Sequence, residues 1–255
     1  MPIIQVNGRS SSCRGVLFDK DGTLLHFMAL WGGFADYVLK FMEERLALMG
    51  AGFVVPRDKV LGTVHGTDGK ILDYDVQGPL SMGSVEETTG ILAWHLYAAG
   101  MPWNEAIVQV NQITKNAMYH IRQDKPALPM PGLEPFLQHC KKASIEMAVV
   151  TSDHTEAALE HLEWMGIGQY FSVVIGRDQV ENSKPHPEMV ELACRKLGLG
   201  QHETVVIGDS NGDMQMAKQA GTAMAIGIYP GEQGGEHLID ADVVISDYND
   251  ISVIL

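Results

Sequence analysis

The stretch Val16-Leu17-Phe18-Asp19-Lys20-Asp21-Gly22-Thr23 restricts the possible folds of this chain more than any other. Three consecutive apolar residues that run into charge and then glycine fit a strand buried on both faces, ending in a loop at its carboxyl edge. In open α/β sheets that edge is where ligands bind. Asp19 and Asp21, one residue apart, would face opposite sides of a continuing strand, and Gly22 permits the bend that turns both to one site. With no hydroxyl or thiol nucleophile beside it, Asp19 could attack phosphorus while Asp21 shuttles a proton. So close a pair of carboxylates also calls for a cation, and Mg²⁺ accepts few carboxylates together with water and phosphate. An acidic turn after a strand would carry the same letters. The decision falls to the rest of the chain, which must supply a hydroxyl, a lysine and a third acid at other strand ends.

After this strand the pattern becomes helical. Trp31, Phe34, Ala35, Val38, Leu39, Met42, Leu46 and Met49 recur at helical spacing, predicting a helix over 31–49 closed by Gly50 and Gly52. A second helix is expected over 86–99, opened by Ser84, and a third over 104–122 with Asn104 as its cap. Between the first two lies a glycine-rich loop, Gly62 to Lys70, and no strand is expected anywhere in this block. From Pro131 short apolar runs return, at 147–150, 171–175, 205–207, 223–226 and 243–245, separated by helical segments near 133–143, 155–165, 187–197 and 212–220. Strand and helix alternating in this way imply right-handed crossovers and a parallel sheet covered on both faces. The expected architecture is therefore α/β: a Rossmann-like parallel sheet of about six strands, with Ile3–Val6 as an extra edge piece, interrupted by an all-helical insertion. The core would comprise 1–24 and 131–255 and the insertion 25–130, with prolines 126, 129 and 131 stiffening the return crossing.

Three further strand ends carry reactive groups. Thr151 and Ser152 follow Met147–Val150, where a hydroxyl and the amides of a helix start could hold phosphoryl oxygens, although a threonine there would serve equally as a helix cap. Lys184, in Ser183-Lys184-Pro185-His186-Pro187-Glu188, is held beside a proline and could reach a site, while Pro187 and Glu188 suit the first turn of a helix. Asp209 directly follows Val205–Gly208, and Asp213, four residues on, is within reach as a second metal ligand or a supporting partner. A turn with a helix cap explains Ser210 and Asn211 but gives no reason for Asp209.

Together, D-K-D-G-T, the apolar run ending at Thr151, K-P-H-P-E and G-D-S-N-G-D resemble the four motifs of the haloacid dehalogenase superfamily, and the resemblance covers nearly the whole chain. The helical block looks like the cap that the phosphoglycolate phosphatase and β-phosphoglucomutase branch inserts after its first motif. The resemblance implies Asp19 as the nucleophile that forms an aspartyl-phosphate and Asp21 as the acid that protonates the leaving oxygen and then activates water. It implies Mg²⁺ held by Asp19, the Asp21 backbone carbonyl and Asp209, with Asp213 in support, and a phosphoryl group gripped by Thr151 and Lys184. Haloalkanoate dehalogenases and phosphonatases are disfavoured because Asp21 is present. The expected activity is a phosphoglycolate phosphatase-like hydrolysis of small phosphorylated metabolites, with a sugar-phosphate mutase or an inorganic pyrophosphatase of the same branch as alternatives. A phospho-accepting signalling module also uses acids, a threonine and a lysine at strand ends, but such modules are about half this length and lack the second acid.

Composition sets the outer limits. The net charge of −14 disfavours nucleic acid and anionic membranes as partners, and makes Lys184 and a metal the local source of positive charge for an anionic substrate. Cys13, Cys140 and Cys194 are widely spaced without a C-x-x-C pair, which argues for reduced, structural thiols. No apolar run approaches the roughly 20 residues of a membrane span, and the start Met1-Pro2-Ile3-Ile4 lacks the pattern of a signal peptide, so the cytoplasm is the expected compartment. No pattern in the chain specifies an oligomeric state. Within the insertion, His65, Lys70, Trp103, Arg122 and Lys125 are candidates to recognise the rest of the substrate, Lys70 first because it follows the glycine-rich loop.

Overall fold

A computed structural model of the chain describes residues 1–230 and 235–255. The chain divides into two compact units, one formed by 1–26 with 127–255 and the other by the inserted residues 27–126. The first begins with β1 (Ile3–Val6) and β2 (Arg9–Ser12), followed by β3 (Gly15–Phe18). Asn7 and Gly8, both with positive φ (46° and 78°), make the tight turn that folds β2 back on β1. Ile3–Val6 is therefore not an edge of the parallel sheet, as expected from sequence; it is the centre of a separate antiparallel sheet. The Asn-Gly pair between two extended runs was the signal for it.

The inserted unit runs through a π-helical turn at Met28–Gly32 into α1 (Gly33–Leu48), then α2 (Arg57–Leu61), β4 (Thr63–His65), β5 (Ile71–Tyr74), α3 (Pro79–Met82), α4 (Val85–Ala98) and α5 (Trp103–Asp124). Val38, Leu39, Met42 and Leu46 of α1, Leu92, Ala93 and Leu96 of α4, and Ala106, Val110, Ile113 and Ala117 of α5 form its core. Their three- and four-residue spacing lines one stripe of each helix. Ser84 caps α4 as expected: its hydroxyl accepts from the Glu87 amide at 3.1 Å while its own amide donates to Glu87 at 2.8 Å. The cap of α5 is Pro102 rather than Asn104. The larger correction is β4 and β5, which pair antiparallel where no strand was expected. Val64 and Leu72, both well exposed, leave these short strands without an apolar face to give a period-two pattern.

The first unit resumes with α6 (Leu133–Lys142), β6 (Glu146–Val150), α7 (Thr155–Trp164), β7 (Val173–Ile175), α8 (Glu188–Leu197), β8 (Thr204–Gly208), α9 (Asn211–Ala220), β9 (Met224–Ile228), β10 (Val243–Ile245) and β11 (Ile251–Ile254). β11, β1 and β2 make the three-stranded antiparallel sheet. Six parallel strands form the main sheet in the order β10-β9-β8-β3-β6-β7, so β3 is an inner strand with β8 and β6 as neighbours. Alternation divides their side chains cleanly. Val16, Phe18, Met147, Val149, Val205 and Ile207 point to one face, under Leu133, Phe136 and Leu137 of α6. Leu17, Ala148, Val150, Val206 and Ala225 point to the other, against Met189, Val190 and Ala193 of α8 and Met214 and Ala217 of α9. Both faces being covered, all the polar ends of β3, β6 and β8 emerge at one edge. The segments that leave and re-enter this unit pair with each other there, Met130 N–H donating to Leu24 O at 2.9 Å and His26 N–H to Leu128 O at 2.8 Å.

Candidate active site

Asp19 is the first residue past β3, and its amide still donates to Ile207 O at 2.9 Å, so the sheet itself fixes its backbone. The chain then turns: the amides of Leu24 and Leu25 both donate to Lys20 O at 2.9 Å. Gly22 makes this turn possible twice over. Its φ of +75° suits glycine, and a Cβ on it would lie 1.9 Å from Asp209 Oδ2. Asp209 therefore approaches the turn only because that side chain is missing.

Lys184 joins the acids. Its Nζ lies 2.5 Å from Asp19 Oδ1 and 2.6 Å from Asp213 Oδ1, with only 8% of the side chain exposed. The loop that carries it, with a cis Lys184–Pro185 bond, is tied down by Glu188, whose carboxylate accepts the amides of Glu181 and Asn182, each at 2.9 Å. Asp213 is fixed from the other side, accepting the Ser210 hydroxyl and amide in the capping box of α9. Its side chain occupies the space a Cβ at Gly208 would need, 2.4 Å from the Asp213 Cβ. The Asp209 carbonyl accepts from His237 Nε2 at 2.9 Å. Asp19, Asp209 and Asp213 each place one carboxylate oxygen within 4.8 Å of the others.

Thr151 stands at the end of β6, next to β3, and is buried. Its hydroxyl oxygen accepts the Asp153 amide at 3.2 Å, which leaves the hydroxyl hydrogen to donate elsewhere. The cap position of α7 falls to His154, so Thr151 does not serve as that cap. Ser152 beside it is exposed. His186 is half exposed and bonds within its own loop, through Nδ1 to the Glu188 amide. Lys70 belongs to the inserted unit, where it is 80% exposed and pairs with Asp68 at 3.3 Å. His65 is held there by Arg57 at 3.0 Å and Thr63 at 2.6 Å, while Trp103 opens α5 and Lys125, at φ 46°, ends it.

A second lysine is buried, one to which the sequence pattern alone assigns no role. Lys20 is completely buried, with Nζ 2.8 Å from Asp21, 3.3 Å from Asp153 and 2.9 Å from His161. A lysine flanked by two aspartates at the end of a fully apolar strand was the available signal. Its partners at 153 and 161 meet it only through folding.

The electrostatics follow from this crowding. Burial pushes the Asp19 carboxyl up to about 7, against the pull of Lys184 and with the added push of Asp213 and Asp21. Asp209 is raised well above the usual carboxylate range by loss of water, then by Asp19 and Asp213. Burial works against the Lys184 ammonium, but Asp19 and Asp213 outweigh it and hold its pKa above the ordinary lysine value. Three hard oxygen donors with one ammonium among them still carry an excess of negative charge. This is the donor set that a small divalent cation such as Mg²⁺ takes, and the residues present fit one.

The chain as a whole is similar to known proteins. The family model for haloacid dehalogenase-like hydrolases matches residues 13–221. The phosphoglycolate phosphatase of Salmonella typhimurium is 38% identical over 242 residues, covering 93% of this chain and 90% of that protein. Among solved structures, a predicted phosphoglycolate phosphatase from Haemophilus somnus aligns with a TM-score of 0.66 at 18% identity, over 94% of this chain and 96% of that one. The β-phosphoglucomutase of Clostridium difficile aligns at 0.62 and 18%, over 93% and 92%. At such identities the two structures speak for the fold alone. By the extent of the family match and the identity of its curated relative, this chain belongs to the haloacid dehalogenase-like hydrolases and is an enzyme.

Proposed function

We propose that the enzyme is a Mg²⁺-dependent phosphatase of small phosphorylated metabolites, phosphoglycolate phosphatase-like in its substrate. The observation that carries this reading is Asp19 itself: a carboxylate fixed by the sheet, touching a buried ammonium, with Asp209 and Asp213 oxygens within 4.8 Å. Asp19 attacks the phosphorus of the monoester. The bond to the leaving oxygen breaks as Asp21 gives that oxygen a proton, leaving phosphate esterified to Asp19. Asp21, now ionised, takes a proton from water as the water attacks phosphorus, and Asp19 departs with inorganic phosphate released. Lys184 and the Thr151 hydroxyl orient the phosphoryl oxygens, and Lys184 offsets the repulsion between Asp19 and a dianionic ester. Asp19, the Asp21 carbonyl, Asp209 and Asp213 are the residues that would hold Mg²⁺, which when bound neutralises charge on the phosphoryl oxygens.

In this reading the inserted unit is the cap that selects the substrate, and Lys70 contributes to recognition. The experiment is phosphate release from 2-phosphoglycolate, pyrophosphate, sugar phosphates and nucleotides, with Mg²⁺ and with chelator. Turnover of 2-phosphoglycolate above the others supports the reading, and preference for pyrophosphate or isomerisation of a hexose phosphate would move it to the alternatives. A phosphorylated Asp19 that persists for minutes without turnover would point to signalling. No turnover of any member would refute the proposal.

A further inference from the structure

Lys20 has no exposed side chain surface, and burying an ammonium costs several kcal/mol unless its partners are well placed. Among the described residues, partners of its Nζ come from separate parts of the chain. Nζ lies 2.8 Å from both oxygens of Asp21 in the turn after β3, 3.3 Å from Asp153 Oδ2 in the loop after β6, and 2.9 Å from His161 Nδ1 on α7. An ammonium only donates, so His161 Nδ1 accepts from it. His161 is itself buried, its ring tilted by 50° against that of Trp164 at 4.9 Å between centroids, and sits 3.8 Å from Asp153. Lys20 is thus fastened at its far side by His161 on α7 and by Asp153 in the short β6–α7 loop, and on its near side grips the Asp21 carboxylate in the turn after β3.

An apolar side chain would fill this space more cheaply, which points to a role in where Asp21 stands rather than in stability. We infer that Lys20 is a positioning residue: anchored by Asp153 and His161, it sets the Asp21 carboxylate in the place from which it exchanges a proton with the leaving oxygen. The inference rests on the proposed reading of Asp21 as the acid. It has a specific kinetic consequence. When the P–O bond breaks, negative charge grows on the leaving oxygen, and a basic alkoxide needs the proton far more than p-nitrophenolate does. Misplacing Asp21 therefore penalises substrates in proportion to the basicity of their leaving groups.

The test compares kcat/KM of the Mg²⁺-loaded enzyme for p-nitrophenyl phosphate, phenyl phosphate and 2-phosphoglycolate, in wild type, Asp21→Asn, Lys20→Met and Asp153→Asn. This ratio reports events up to departure of the leaving group. Because a placed general acid contributes about 100-fold or more, Lys20→Met is expected to lose about 100-fold on the alkyl ester and under about 10-fold on p-nitrophenyl phosphate. Asp153→Asn leaves the Lys20–Asp21 pair in place while weakening its anchor, so it is expected to lose about 3- to 10-fold on the alkyl ester, with the same ordering; it keeps the test sound if Lys20→Met fails to fold. A loss equal across all three esters, or no loss, in the folded variants overturns the positioning role while Asp21→Asn still shows the graded loss. If Asp21→Asn itself shows no grading, the acid assignment falls and the positioning role with it.

Discussion

The two units treat charge in opposite ways. The sheet unit, besides surface pairs such as Arg14 with Glu203, carries a charged set inside: Asp213 and Lys20 are at most 1% exposed, Lys184 8% and Asp19 9% by side chain, each pressed against a group of opposite charge type. In the inserted unit charged groups lie outside, as with Lys70 at 80%, or in surface pairs such as Arg57 with Asp36 and Glu43, both at 3.1 Å. A buried charge is tolerated only where several elements over-determine its position, and removing one partner strands the other. An exposed pair is worth at most about 1 kcal/mol and can be exchanged with little effect on the fold. The proposed chemistry, which needs ångström precision, is thus assigned to the first unit, while the second can vary its polar surface without endangering its core.

That contrast predicts a graded series of effects. The largest belongs to Asp19→Asn, which should lower turnover by at least about a thousandfold, the scale seen when a nucleophile is removed. The same change should leave the melting temperature unchanged or higher in metal-free protein, because Lys184 keeps Asp213 as its partner while the repulsion among Asp19, Asp209 and Asp213 is relieved. Residual activity within tenfold of wild type would break the comparison at its strongest point. Next comes Gly22→Ala. With φ at +75° and a Cβ aimed at Asp209 Oδ2, it should displace Asp209 and weaken Mg²⁺ binding by about tenfold or more, a loss worth about 1.4 kcal/mol, read by calorimetric titration.

A smaller effect is the pH dependence of the metal's stabilisation. The folded pKa of Asp19, about 7, lies above the ordinary 3.8, so folded protein without metal binds this proton more tightly than unfolded protein does. The stability this group contributes is therefore greatest below pH 4 and declines as pH rises towards 7. Mg²⁺ needs the ionised form and must displace the proton below pH 7. The rise in melting temperature on adding Mg²⁺ should accordingly grow from pH 5 to pH 8. A constant increment across that range would mean that Asp19 is not a ligand.

Legibility in the sequence divides along the same line. The parallel sheet can be read because its strands are buried on both faces and leave unbroken apolar runs, as at Val205–Gly208. The acids that follow those runs are legible for the same reason. How closely they meet is not, since the approach of Asp209 to the first turn depends on a missing Cβ at Gly22, and that of Asp213 on one at Gly208. The partners of Lys20 are hidden because each comes from a different loop or helix. In the inserted unit the helices announce themselves by apolar spacing, whereas the hairpin, with Val64 and Leu72 turned outward, imitates a polar loop.

The smallest predicted effect tests whether the exposed unit bears on substrate at all. Lys70 closes the turn between β4 and β5, where its carbonyl accepts the Gly66 amide at 2.9 Å and its ammonium pairs loosely with Asp68. The backbone bond is independent of the side chain, so Lys70→Ala should preserve the turn and the melting temperature. If the ammonium meets the charged part of the substrate remote from phosphorus, the contact is made equally in the ground and transition states, and its loss raises KM with little change in kcat. An exposed charge pair sets the size at about 1 kcal/mol or less, a rise in KM of up to about fivefold. The rise should be confined to substrates with a second anionic group and absent for p-nitrophenyl phosphate. Wild-type kinetics on every substrate would remove Lys70 from recognition and leave selection to groups held more firmly, such as His65 between Arg57 and Thr63.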